Sequence, residues 1–384
     1  MKTIAVIFGG RSAEHDVSII TALASIIKPL ELTDDYRVEA VYVAKDGSWY
    51  WDDKLKDISL FQGGIDDFIA KAPKVHLLFD SGLTLVKSSQ FAGRKMYRPV
   101  DVVFPAMHGT YGEDGSLMGL LDMAGVPYVG CGVSASAVAM DKILSKQVTA
   151  SEGIASTPWV WFRAAQLAED PAAVLDSISS LKYPLFVKPA LLGSSIGITR
   201  VAEKSQLINA LEVATHFDNK VIVEQGVDNL IEVTVPIMGN DEPVAAFVER
   251  PLTKPDEFFD FDSKYLHGGK KGEGTKQGAP GYSQIPAELP GELYQQAEAL
   301  ALQVYRVLGC TGLARVDLLI DTKAKAVLFN EVNPMPGSLY AHNWRRKGIS
   351  GHQLVSELIR LALERHSTRQ RLETSFQTNF LKQF

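Results

Sequence analysis

The sequence predicts an α/β protein in which an N-terminal open α/β sheet domain is followed by α+β units, and three observations carry that prediction. Residues 3–8 (TIAVIF) form the continuous apolar run of a strand buried on both faces. The glycine pair at 9–10 separates this run from a segment of helical period that stops before Pro29, and a second apolar run at 38–44 completes a βαβ opening. The length, 384 residues, is enough for two or three domains of ~150 residues each.

Further strands are expected at 74–80, 83–87 and 100–106, followed by a helix from about Ser116 to Ala124 and a short strand over 126–130. A helical pattern over Ala135–Ser151 is stopped by Gly153. Strands at 183–190 and 196–202, a helix near 204–215 and a strand at 221–225 read as a small α+β unit. The expected domains are 1–141, 142–229 and 230–384. The last opens with strands at 231–238 and 245–250, and its tract 266–284 (LHGGKKGEGTKQGAPGYSQ) has the composition of a mobile loop. Leu293, Ala297, Leu300, Ala301, Val304 and Leu308 then recur at helical spacing up to Gly309, and Leu354, Val355, Leu358, Leu361 and Ala362 mark a final helix.

Composition narrows the function. Hydrophobic residues make up 46% and charged residues 22%, which excludes wholesale disorder. A net charge of -6 without a long basic run leaves no phosphate-neutralising surface, so no nucleic-acid partner is expected. Cys131 and Cys310 lack the spacing of a zinc site or a disulfide framework, and a reducing compartment is expected. The first residues are too briefly apolar for a signal peptide, and no apolar stretch approaches the ~18 residues of a membrane span. The expectation is a cytoplasmic protein with no membrane association.

The most informative stretch is GLARVDLLIDTKAKAVLFNEVNPMPG (312–337), two apolar strands joined by the polar turn Asp321–Lys325. With the turn centred on Ala324, Asp317 faces Glu331 and Arg315 faces Asn333, so all four side chains project from one side of a hairpin. Two carboxylates and an amide oxygen suit Mg²⁺, and Arg315 beside them is placed to hold a phosphoryl group. The competing reading is that Arg315 merely neutralises the acids across the strands. The absence of His and Cys argues against zinc.

A second motif, LFVKPALLGSSIGITRV, puts Lys188 at a strand end and Gly193, Ser194, Ser195 and Gly197 in the next turn, as a phosphate cover would. A glycine-rich hairpin turn with no ligand is the plain alternative. The same residues satisfy GxSxG with Ser195 at the centre, but a hydrolase elbow feeds a helix, whereas Ile196–Val201 reads as a β-branched strand. GGRS (9–12) lacks GxGxxG, and GGKKGEGTK lacks the GK[ST] ending, so neither a Rossmann nor a Walker site is supported.

In order, the chain carries GGRSAEHDVS (9–18), HGTYGEDGSLMGLL (108–121), ASAVAMDK (135–142), LFVKPALLGSSIGI (185–198), VIVEQ (221–225), FDFDSKY (259–265), ARVD (314–317) and NEVNPMPG (330–337). With these motifs it resembles the D-alanine:D-alanine ligases of the ATP-grasp superfamily from residue 1 to about 366. The resemblance implies three domains, the last two an ATP-grasp module holding ATP between them. By matching position it implies that Lys142, Lys188 and Lys264, with Ser195 in the cradle, contact nucleotide phosphates. Glu224 and Glu232 would bind the adenine and ribose end. Asp317, Glu331 and Asn333 would hold two Mg²⁺ ions, with Mn²⁺ as the alternative. Glu14 is similar to the residue that receives the first D-alanine's ammonium, with His108 nearby, and Ser194 and Tyr265 to the pair that ties the mobile loop over the substrates. Arg315 and the backbone N–H of Gly337 would stabilise transferring phosphoryl and tetrahedral oxyanion.

One departure stands out. Where the family places a serine for the acceptor's carboxylate, counting from Gly337 arrives at His342 in Ser338-Leu-Tyr-Ala-His342-Asn343-Trp344, with Ser338, Asn343 or a backbone N–H as alternatives for that contact. The implied reaction is ATP-dependent joining of two D-alanines for peptidoglycan precursors, in a homodimer by family analogy. Competing readings are a ligase for another acceptor such as D-serine or D-lactate, a non-catalytic ATP-binding protein, and a serine hydrolase.

Overall fold

The computed structural model describes residues 1–80, 82–88, 95–193, 195–252, 283–373 and 378–384. Ser194, Lys264, Tyr265 and most of the 266–284 tract lie outside the described residues.

The N-terminal third contains β1 (Lys2–Gly9), β2 (Tyr36–Val43), β3 (Trp49–Trp51), β4 (Val75–Phe79), β5 (Leu83–Ser88), β6 (Lys95–Val100) and β7 (Val102–Pro105). β1 pairs in parallel with β2 and β7, giving the order β3-β2-β1-β7 and the expected βαβ opening. β4, β5 and β6 do not extend this sheet but form an antiparallel sheet of their own. The expected strand 100–106 is accordingly two strands broken at Asp101, whose N–H donates to Thr3 O at 2.9 Å and whose carboxylate accepts from Thr3 N at 2.7 Å.

The helical pattern expected over Ala135–Ser151 is also two elements, Val133–Met140 and Lys142–Ser151. Asp141 between them is extended, and its carboxylate accepts from the N–H groups of Ile143 and Leu144 at 2.9 and 3.1 Å. An aspartate that caps a new helix ends the previous one, and Lys142 becomes the first helical residue of the second. The central sheet has the order β10-β9-β11-β8, from β8 (Trp159–Arg163), β9 (Leu185–Pro189), β10 (Thr199–Val201) and β11 (Lys220–Gln225). β8 and the helices Ala164–Glu169 and Pro171–Ile178 were not expected from the sequence, and β10 is shorter than the expected 196–202.

The third unit holds β12 (Leu230–Gly239), β13 (Val244–Ala245), β14 (Arg250–Pro251), β15 (Ser283–Gln284), β16 (Gly312–Asp321) and β17 (Ala326–Asn333), with sheet order β13-β12-β16-β17. The expected strand 245–250 resolves into two short pieces. Ser283 and Gln284, at the end of the tract expected as loop, are strand residues paired antiparallel with β14.

Cores assign the layers. Ile4, Phe8 and Val102 of the first sheet share one apolar cluster with Leu354, Val355, Leu358 and Ile359 of the helix Gly351–Gln370. The central sheet has its own cluster, including Leu185, Val187, Leu211 and Val223, and the third sheet packs Val235 and Val316 on Ala297, Ala301 and Val304 of the helix Gly291–Val307. The first and third units also meet at Gly130, whose carbonyl accepts from Arg365 and whose backbone abuts Gly312. No described helix is long and apolar enough to cross a membrane.

A Cβ on Gly312 would lie 3.1 Å from Gly130 Cα and N, and its φ is +70°. Gly309 has a similar φ of +67° but open space where a Cβ would go. Gly312→Ala should therefore cost strain plus a backbone clash, about 2–4 kcal/mol, and Gly309→Ala only the strain of about 1–2 kcal/mol. Melting midpoints of both variants check this: equal losses contradict a tight Gly130–Gly312 contact.

Candidate active site

The hairpin expected from the sequence is present. Asp317 pairs with Glu331 and Arg315 with Asn333, as the two-residue periodicity requires. The agreement has a cause the sequence did not display, because near the turn Asp321 faces Ala326 and Leu318 faces Phe329, one residue out of that register. A bulge between Asp317 and Leu318 restores it. On the resulting face Arg315 donates from Nε and Nη2 to Asp317 Oδ1 and Oδ2 at 2.6 and 2.5 Å, and Asn333 Nδ2 donates to Asp317 Oδ2 at 3.0 Å.

Lys142 connects this face to the glycine-rich turn. Its ammonium lies 3.5 Å from Glu331 Oε2 and donates to Leu192 O at 2.6 Å. The turn is non-helical and runs through Ser195, at φ 60°, into β10, so the strand exit excludes a hydrolase elbow. From the other side, Glu14 closes the same space: a Cβ on Gly193 would lie 3.0 Å from Glu14 Oε1, so only glycine admits the carboxylate this close. Glu14, Lys142, Leu192, Gly193 and the acidic hairpin face thus form one contiguous group.

Next to this group is a buried charge cluster. Glu224 on β11 takes Lys188 of β9 at 2.6 Å and Lys146 at 3.1 Å, and Lys146 also sits 5.6 Å from the centroid of the Phe329 ring. Burial by itself raises the Glu224 pKa, but the two ammonium groups override it and bring it down to about 2. Burial pulls Lys146 below the usual lysine range. For Lys188 burial acts in the same direction, yet Glu224 prevails and the net shift is upward. Glu232 lies on β12, cross-strand from Leu319 of β16.

His108 is buried, with Nδ1 3.6 Å from Glu113 Oε1 and Nε2 2.9 Å from Thr21 Oγ1. Burial lowers its pKa, the Glu113 carboxylate more than compensates, and the net direction is upward. Gly337 opens the short turn Gly337–Tyr340, in which Ser338, Leu339 and Tyr340 are all left-handed, at φ 52°, 54° and 50°. The Tyr340 ring is 5.0 Å from the Arg315 guanidinium and 4.9 Å from the His342 ring. His342 Nε2 bonds to the buried carboxylate of Glu249 at 2.9 Å. Asn343 is fully occupied by Phe247 N, Phe247 O and Glu249, which removes it from the alternatives for an acceptor contact.

The structure therefore brings Glu14, Lys142, Ser195, Arg315, Asp317, Glu331 and Asn333 into one neighbourhood, with Lys188 and Glu224 next to it, and leaves the half-exposed His342 hydrogen-bonded to the buried Glu249 carboxylate. Sequence reasoning missed Lys146, Thr21, Glu113 and Glu249. Lys146 alone had a signal, since it follows Lys142 by one helical turn and so shares its face.

Comparison with known proteins agrees with this geometry. Residues 3–131 match the family described as D-ala D-ala ligase N-terminus and residues 148–360 the one described as D-ala D-ala ligase C-terminus. A D-alanine–D-alanine ligase of Chlorobium phaeovibrioides is 39% identical over 369 residues, covering 94% of this chain and 97% of its own. One of Acetivibrio thermocellus is 37% identical over 382 residues, covering 95% and 97%. Among solved structures, the D-alanine-D-alanine ligase from Coxiella burnetii superimposes with a TM-score of 0.78 at 27% identity over 96% of both chains. The VanG D-Ala:D-Ser ligase from Enterococcus faecalis does so with a TM-score of 0.75 at 30% identity over 94% of this chain and 99% of that one. By both halves of its sequence and by its fold, the chain belongs to the D-alanine–D-alanine ligase family.

Proposed function

We propose that this protein joins two molecules of D-alanine at the expense of ATP, through an acyl phosphate. The observation that carries the mechanism is the convergence of Glu14, Lys142 and the acidic hairpin face, with Lys188 close by. A carboxylate is a poor electrophile. Transfer of the γ-phosphoryl of ATP to the first D-alanine's carboxylate makes it reactive, and the second amino acid's amine then attacks the carbonyl, forming the peptide bond and releasing phosphate.

Each residue has a part in this reading. Lys142 and Lys188 hold the nucleotide phosphates with Ser195 and its turn, and Lys264 reaches them from the segment outside the described residues. Glu224 is committed to two lysines, so it serves the nucleotide by fixing Lys188, while Glu232 takes the ribose end. Glu14 receives the first D-alanine's ammonium, with His108 beside the carboxylate. Arg315 and the Gly337 N–H face the charge that grows on the phosphoryl group and then on the tetrahedral oxyanion. Ser194 and Tyr265 tie a covering segment to Glu14 and keep water from the acyl phosphate.

Asp317, Glu331 and Asn333 form an all-oxygen set whose two carboxylates already draw cations, Arg315 to one and Lys142 to the other. That donor chemistry fits Mg²⁺, or Mn²⁺, in the two-ion arrangement of the family, and when bound the metal supplies Lewis-acid neutralisation of the phosphoryl oxygens. A cytoplasmic homodimer completes the reading. The likeness to a D-Ala:D-Ser ligase favours D-serine as the second candidate acceptor.

Incubation with ATP, Mg²⁺ and D-alanine should release ADP and yield the dipeptide, with D-serine and D-lactate less effective; faster turnover with either would reassign the acceptor. Glu331→Gln keeps the size but removes a charge, and should slow turnover by at least about a hundredfold. Near wild-type ADP release by the folded variant would sink the metal assignment. His342→Ala should raise the acceptor's KM while leaving that of ATP unchanged, because only the Glu249–His342–Tyr340 side of the cleft is altered. Initial rates at varied D-alanine and varied ATP separate the two.

A further inference from the structure

We infer that Thr21 is a positioning residue whose single hydroxyl sets the donor-side histidine and the acceptor-side turn relative to each other. The inference rests on the ligase reading for the roles of His108 and of the turn after Gly337. Thr21 is fully buried and opens a π-helical stretch, Thr21–Ile27, within the first helix. Its Oγ1 lies 2.9 Å from His108 Nε2 and accepts from the Ser338 N–H at 3.0 Å. One oxygen therefore joins three segments far apart in sequence.

The second of these segments needs the anchor. Ser338, Leu339 and Tyr340 are consecutive left-handed residues with side chains, at φ 52°, 54° and 50°. Such a run is costly for L-residues and persists only where surrounding contacts over-determine it. Three contacts do so: Leu339 is buried in the shared core, Tyr340 lies against Arg315, and Ser338 N–H is held by Thr21. The first two use side chains that repacking can replace. The third is a directed hydrogen bond at the residue where the left-handed run begins. The π-helical stretch begins at Thr21 itself, and such local rewinding is common at functional sites.

Losing the hydroxyl frees the turn and with it the Arg315–Tyr340–His342 stack, while His108 loses its Nε2 partner. The nucleotide end, built from Lys142, Lys188 and Glu224, has no contact with Thr21 among the described residues. Effects should therefore split by substrate.

The test compares Thr21→Val, which keeps the shape and removes the hydroxyl, with Thr21→Ser, which keeps the hydroxyl. Thr21→Val should raise the acceptor D-alanine KM about tenfold and lower kcat, with the ATP KM within about twofold of wild type, and Thr21→Ser should restore both constants to within about threefold. Equal effects on ATP and acceptor, or a serine variant as impaired as the valine variant, overturn the proposal. Hydrogen exchange over 337–341, measured without substrates, should be faster in Thr21→Val than in wild type; unchanged exchange overturns the proposal whatever the assay gives. Failure of the ligase reading shows separately, as a wild-type protein that releases no ADP with D-alanine.

Discussion

A carboxylate stays charged inside a protein only where cations or hydrogen-bond donors hold it, and Glu224 meets that constraint with two lysines from different elements. The consequences spread outward. Lys146 reaches Glu224 only if the helix beginning at Lys142 starts where Asp141 caps it, and Lys188 only if β9 lies directly beside β11. The Glu224 carboxylate outweighs burial at Lys188 and shifts its pKa upward, so Lys188 remains a cation. Lys142, placed by the same cap, then ties the glycine-rich turn to Glu331. The electrostatics that let the interior hold charge are those that suit it to an anionic ligand.

The parts of this arrangement that follow from short-range periodicity were legible in the sequence. A hairpin has a two-residue repeat and a polar turn, so the facing of Asp317 and Glu331 could be counted, although the count succeeded through a compensating bulge. The long helix Gly291–Val307 announced itself through its apolar stripe. Asp141 was harder, because an aspartate within an otherwise helical pattern gives no sign of whether it caps a new helix or sits on a wet face. Thr21, Glu113 and Glu249 were beyond reach. Thr21 and Glu249 matter for partners dozens or hundreds of residues away, and Glu113, although only five residues from His108, sits in no local pattern that names the pairing.

The acceptor side shows the same limit from another direction. Counting from Gly337 singled out His342, yet Ser338–Tyr340 bends left-handed and turns the chain before it reaches that residue. Counting assumes an ordinary backbone. Tyr340 instead fills the space between Arg315 and His342, and Glu249 anchors both His342 and Asn343 from beneath. A tyrosine ring and a histidine hydrogen-bonded to a buried carboxylate stand here, rather than a hydroxyl counted along the chain.

The apolar cluster shared by β1, β2 and β7 with the helix Gly351–Gln370 has a consequence for how the chain is made. Ribosomes deliver the first sheet early and its covering helix near the end, a delay of roughly twelve to fifty seconds at ~5–20 residues per second. During that interval the cluster around Ile4, Phe8 and Val102 has its early members such as Ile26, Leu30 and Val38 but lacks Leu354, Val355, Leu358 and Ile359, while the central sheet, whose cluster is its own, can close as soon as residue 225 emerges. Until the last helix arrives, the nascent first sheet leaves part of its apolar cluster uncovered, a surface suited to shielding by a holdase chaperone.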